Sequence, residues 1–227
     1  MDHVGGAGFY AATRAMQSLP PGALFVPAPS APALERYLAA LRELDGSPLP
    51  CSVTPLQLGS EVQLRDKTLV VRPFATTHPV PSLGYTVFRR THKLRPQYAA
   101  APGAEIAALR AAGVGVTDAV EAPLFAFTGD TSADWLHHPS SEAALRAKVL
   151  VVECTFVDAA VSVADARLFG HTHLDELAEH AALFRNEAIL LIHFSARYKR
   201  TEILAALDAR LPPDLRARVT PLLEGFS

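Results

Sequence analysis

Three short apolar runs, each stopped by a polar side chain with chemistry to offer, constrain this chain more than any other feature. Leu124–Thr128 runs into Gly129-Asp130-Thr131, Val149–Val152 into Glu153-Cys154-Thr155, and Ala188–Ile192 into His193-Phe194-Ser195. A nearly continuous apolar run of this length reads as a strand buried on both faces. Amphipathic helices are expected over Leu174–Phe184 and Thr201–Leu211, the second stopped by Pro212-Pro213. Buried strands alternating with helices, and polar residues at the strand ends, predict an α/β architecture with a site along one edge of a sheet.

The remaining segments fit that plan. Pro20 to Pro32 carries prolines among small residues and reads as a loop, followed by a helix over Ala33–Leu44. Glu61–Leu64 and Thr68–Phe74 flank Asp66-Lys67 and read as a hairpin. Gly84–Phe88 is a further short strand, and Ala104–Ala112 a helix closed by Gly113.

Bulk composition excludes several classes. With 227 residues, 49% hydrophobic and 19% charged, the chain is no disordered tail protein, and one large domain over 1–227 is expected. A net charge of −2 leaves nucleic-acid affinity to a local patch. Two cysteines, Cys51 and Cys154, suit a reducing cytoplasm better than a disulfide scaffold. No apolar run has the ~18–20 residues of a membrane span, and no signal peptide is visible. A cytoplasmic protein with no membrane partner is therefore expected.

His78, Asp130, Glu153 and His193 all end apolar strands; Asp2-His3 stands at the start and His171-Thr172-His173 before a helix. Imidazole and carboxylate donors without thiolate suit zinc, manganese or iron. A single buried histidine is commonly a satisfied core residue. Several strand ends with the same habit favour a shared site.

With Thr77-His78-Pro79-Val80-Pro81-Ser82-Leu83-Gly84-Tyr85, Phe127-Thr128-Gly129-Asp130-Thr131, Glu153-Cys154-Thr155-Phe156, Gly170-His171-Thr172-His173 and Leu191-Ile192-His193-Phe194-Ser195-Ala196-Arg197-Tyr198 in this order, the chain resembles the metallo-β-lactamase superfamily. Within it the resemblance is to the tRNase Z family, in its short plant and cyanobacterial form. Asp2-His3-Val4-Gly5-Gly6 looks like the end of that family's His-x-His-x-Asp-His motif. The resemblance implies an αββα sandwich and a zinc-dependent phosphodiesterase that removes 3′ trailers from pre-tRNA, working as a homodimer. It implies Asp2, His3, His78, Asp130 and His193 as metal ligands, with Asp130 shared between two zinc ions. Asp2 would also orient the attacking water, His171 would protonate the departing 3′ oxygen, and Glu153 would hold its imidazole. Arg197 and Ser195, beside His193, are candidates for the scissile phosphate; a structural salt bridge is the plainer reading of Arg197.

The family motif has two more histidines upstream of Asp2, and members carry roughly 50–60 further residues there, about one layer of a two-layer domain. The first N-terminal strands and the His-x-His half of the metal motif are thus expected to be missing, as if from a start codon assigned too late. From that comes the expectation that the chain as written holds at most one zinc ion tightly. Two rival functions stay open: a hydrolase of small phosphodiesters, and a catalytically dead RNA- or partner-binding subunit. Arg89, Arg90, Lys93 and Arg95 are either phosphate contacts or a solvated strand end. His92, His137, His138 and His180 read as surface residues, and Gly5-Gly6 as a place of close backbone packing.

Overall fold

A computed structural model describes residues 4–226, so the expected ligands Asp2 and His3 lie outside the described residues. The chain runs α1 (Gly6–Met16), β1 (Gly22–Pro27), α2 (Ala31–Asp45), β2 (Cys51–Leu56), β3 (Val62–Gln63), β4 (Leu69–Ala75), β5 (Leu83–Leu94), α3 (Gly103–Ala111), β6 (Thr117–Phe127), α4 (Glu142–Leu145), β7 (Val149–Glu153), α5 (Val163–Phe169), α6 (Leu174–Glu179), β8 (Ala188–Ile192), α7 (Arg200–Arg210), α8 (Pro213–Arg216) and β9 (Val219–Pro221). Strands β1 and β2 form a parallel pair, and β3 to β9 a seven-stranded sheet in sequence order. Helices flank the two sheets, which is the expected αββα layering.

Strand direction decides where the chemistry gathers. Strand β4 is antiparallel to β5 and β5 to β6, whereas β6, β7, β8 and β9 run parallel. The C-terminal ends of β4, β6, β7 and β8 therefore share one edge of the sheet. His78, Asp130, Glu153 and His193 follow or end those strands and so reach the same edge. The far end of β5 runs the other way. Arg89 to Arg95 lie 6 to 12 residues beyond Leu83, about 20–40 Å along the strand at ~3.3 Å per residue. Arg90 is paired with Glu61 and Glu121, and Arg95 with Asp118, as a solvated strand end would have them.

One face of the large sheet packs into the main core, where Phe74, Ala126, Leu150, Val152, Ile189 and Leu191 meet Trp135, Leu177, Ile203 and Leu207. The opposite face meets the expectation of strands buried on both sides at β7, where Val151 is buried between buried Leu150 and Val152, but not at β6. The β1–β2 pair covers only its β3–β5 end, where Tyr85 Oη donates to the Phe25 carbonyl at 3.4 Å. Farther along that face Phe125 and Phe127 remain 39% and 37% exposed.

Three further expectations need correction. The stretch from Pro20 to Pro32 holds β1, because Leu24-Phe25-Val26 pairs in register with Val53-Thr54-Pro55. Proline is tolerated in so small a sheet because every strand is an edge. Close backbone packing falls at Gly8, where a Cβ would overlap Leu41, and not at Gly6, where a Cβ would meet nothing. The helix expected to Phe184 stops at Glu179 and gives way to a 3-10 turn over Ala181–Leu183.

Candidate metal centre

Glu153 organises the site. It ends β7, the strand between β6 and β8, and its side chain has no solvent exposure. A buried carboxylate is costly unless hydrogen bonds replace its hydration. Here donors converge on it from the loop after β6, from its own chain two residues on, and from the segment between α5 and α6. Oε1 accepts from the Thr131 backbone N–H and from His171 Nδ1, each at 2.9 Å. Oε2 accepts from the Thr155 N–H at 3.1 Å and from Thr155 Oγ1 at 2.7 Å.

These bonds fix two tautomers. The carboxylate only accepts, so His171 carries its proton on Nδ1 and proton exchange falls to Nε2. The Thr155 hydroxyl spends its one proton on Glu153 and must accept from its other neighbour, His193 Nδ1, at 2.9 Å. His193 is therefore also protonated on Nδ1, which directs the Nε2 lone pair outward. That atom lies 3.5 Å from Asp130 Oδ2. His193 holds a left-handed backbone with φ of 62°, an uncommon conformation for a non-glycine residue that turns the chain off β8.

Asp130 follows Gly129, itself left-handed at φ 64°. The next residues are tied down: Thr77 N–H donates to Thr131 Oγ1 at 2.9 Å, and Thr172 Oγ1 donates to the Thr131 carbonyl at 2.7 Å. His78 approaches from β4 and its ring meets that of His171 edge-on at 5.7 Å between centroids. Gly170 makes that approach possible. Its φ of 81° and its contact with Pro79 and His78 leave no room for a Cβ, which would overlap Pro79.

Ligand atoms of His78, Asp130 and His171 all lie within 4.8 Å of one another, as do those of Glu153, His171 and His193. Zinc binds nitrogen and oxygen at ~2.0–2.2 Å, so two donors on one ion stand about 3.4 Å apart at a tetrahedral angle. The His193–Asp130 pair already has that spacing, and the donor set fits a metal. Glu153 has its oxygens engaged by donors from the protein and holds His171 directly and His193 through the Thr155 hydroxyl.

Arg197 makes no carboxylate pair among the described residues. It lies over the Phe156 ring at 5.4 Å and donates from Nε to Ser195 Oγ at 3.2 Å, an exposed arrangement open to an anion. His173 belongs to the core. Its Nδ1 accepts from the Asp175 N–H and caps α6, and its Nε2 donates to the Asp158 carbonyl at 2.8 Å. Burial beside Glu153 pushes the Cys154 thiol far above its ordinary pKa, as befits a core residue. A cleft of about 510 Å³ borders His78, walled by Pro27, Leu56, Val80 and Leu83. Sequence reasoning missed Thr155, Thr131 and Thr172, which hold the carboxylate and imidazoles in place.

Histidine and carboxylate donors on the C-terminal edge of one sheet, in a two-sheet sandwich with outer helices, define a metal-dependent hydrolase of the metallo-β-lactamase fold. The chain belongs to the tRNase Z family. It is 44% identical over 226 residues to tRNase Z TRZ1 of Arabidopsis thaliana, covering 100% of this chain and 80% of that protein. It is 40% identical over 226 residues to the chloroplastic tRNase Z TRZ2 of the same plant, covering 63% of that protein. The metallo-β-lactamase fold protein YhfI of Bacillus subtilis superposes with a TM-score of 0.59 at 15% identity, covering 97% of this chain and 70% of the other. No protein-family model matches the chain. Among the described residues no helix is long and apolar enough to cross a membrane.

Proposed function

We propose that this protein removes 3′ trailers from pre-tRNA by metal-dependent hydrolysis of a phosphodiester bond. The observation that carries this reading is the convergence of His78, Asp130, His171 and His193 on one sheet edge, in a chain of the tRNase Z family. Asp130, with two carboxylate oxygens to offer, would hold the metal together with His78 and His193. By the family resemblance Asp2 and His3, which lie outside the described residues, would add to that ligand set. The metal is zinc, in keeping with a set of nitrogen and oxygen donors. When bound, it acidifies water and neutralises charge on the phosphodiester.

The protein's own groups do the rest. Asp2 orients the attacking water and accepts its proton. His171, held by Glu153 through Nδ1, enters the reaction as the imidazolium and gives its Nε2 proton to the departing 3′ oxygen. The proton lost by water and the proton gained by the leaving oxygen balance. Arg197, with Ser195, holds a non-bridging phosphate oxygen. The protein acts as a homodimer in the cytoplasm, where Cys51 and Cys154 stay reduced.

The test is cleavage of a trailer-bearing pre-tRNA by purified protein supplied with zinc, followed on a denaturing gel. Asp130→Ala should abolish cleavage, and His171→Ala should reduce it while leaving pre-tRNA binding in place. Unchanged cleavage by Asp130→Ala overturns the reading.

A further inference from the structure

Away from this centre a second pair of imidazoles meets. His137 ends the 3-10 turn Ala133–His137, and His180 caps the C-terminus of α6. Their Nε2 atoms stand 3.4 Å apart, with ring planes at 88° and centroids at 4.6 Å. A hydrogen bond between ring nitrogens is best at ~2.7–3.2 Å, so the pair is too long for a good one. The spacing does match two nitrogens on one tetrahedral zinc ion, about 3.3–3.4 Å for bonds of ~2.0–2.1 Å. Each ring also sits at the carbonyl end of a helical turn, the end that favours a cation.

We propose that His137 and His180 form a peripheral transition-metal site, separate from the catalytic centre, that takes zinc or a related imidazole-binding ion with water in the remaining positions. Two neutral nitrogen donors select zinc, copper or nickel over the oxygen-seeking magnesium and calcium. The placement gives the ion a task. The turn bearing His137 follows the Asp130 loop, and the helix capped by His180 begins directly after His171-Thr172-His173. Trp135, Leu136 and Leu177 already pack these two segments into one core. An ion between the histidines ties together, on the outside, the segments that carry a ligand and the acid on the inside. It acts as a clip that steadies the catalytic edge.

The experiment uses chelator-stripped protein titrated with zinc chloride, reading bound zinc per chain by equilibrium dialysis and atomic emission. His137→Ala and His180→Ala should each bind one zinc fewer per chain than the parent, with the zinc of the catalytic centre retained. Each should also lose part of the zinc-dependent rise in melting temperature while melting like the parent without metal. Equal zinc content in parent and both variants overturns the proposal and leaves a loose imidazole pair. Should either alanine variant fail to fold, copper(II) is added to an Asp130→Ala/His193→Ala protein with the pair intact. Two equivalent nitrogen couplings in its paramagnetic resonance spectrum support the clip, and fewer overturn it.

Discussion

Replacing Glu153 by glutamine tests the centre of the site without changing its shape. The carboxylate accepts from Thr131 N–H, His171 Nδ1, Thr155 N–H and Thr155 Oγ1. Glutamine turns one acceptor oxygen into an NH2 donor. If it replaces Oε1 it faces the Thr131 N–H, and if Oε2 the Thr155 N–H, so a buried backbone donor is orphaned either way. That costs about 1–3 kcal/mol, and the surviving bonds lose roughly 1 kcal/mol each as they change from charged to neutral. Against this stands relief from burying a charge, several kcal/mol for an ion without such donors. The convergence of donors has already offset most of that penalty, so a net loss of about 2 kcal/mol is expected in the metal-free protein. For a chain of this size that lowers the melting temperature by about 4–8 °C. The same change frees His171 to take its other tautomer, and trailer cleavage should fall by roughly 10²–10⁴. Calorimetry of chelator-treated protein and a single-turnover cleavage assay read both effects. A melting temperature equal to or above the parent's would mean that charge burial outweighs the bonds, and would refute the reasoning.

Gly170→Ala should cost about 2–5 kcal/mol, from a left-handed alanine and from displacing Pro79, and should weaken zinc binding because His78 moves with it; unaltered zinc affinity by titration would refute the link. His173→Ala should cost about 2–4 kcal/mol, from the lost helix cap and the orphaned Asp158 carbonyl, yet leave zinc content unchanged; loss of a zinc ion would make His173 a ligand. Arg90 and Arg72 hold the Glu61 carboxyl below its ordinary range, and Arg72 and Arg90 do the same for Glu121. A depressed carboxyl stabilises the fold above its unfolded pKa of ~4.3 and loses that contribution as pH falls through the folded value. Glu121→Gln should therefore lower the melting temperature at neutral pH, with the gap to the parent closing below about pH 4; a gap independent of pH would count against the ion-pair network.

The sequence carried the strands that bear the chemistry, because burial writes itself as apolar runs. Strand β8 matches the expected Ala188–Ile192, and the polar stops at Asp130, Glu153 and His193 stand at strand ends on the site edge. It did not carry β5 beyond Phe88. Arg89 to Leu94 have no apolar pattern and are held by register against Thr117 to Ala122. Nor did it carry β1, whose prolines argue for a loop until a partner strand is known. Thr155 left no local signal either, since its role depends on His193, 38 residues farther along the chain.

That dependence follows from strand order. Glu153 ends the strand between β6 and β8, so one carboxylate can reach the Asp130 loop on one side and the β8 exit on the other. It touches His171 directly and His193 through the Thr155 hydroxyl. Both imidazoles are thereby protonated on Nδ1 by a single buried group. The Thr131 N–H from the β6 side and the Thr155 hydroxyl that bonds His193 at the β8 exit are both within its reach because β7 lies between those strands. Placing it on β7 makes the tautomers of His171 and His193 one property of the fold.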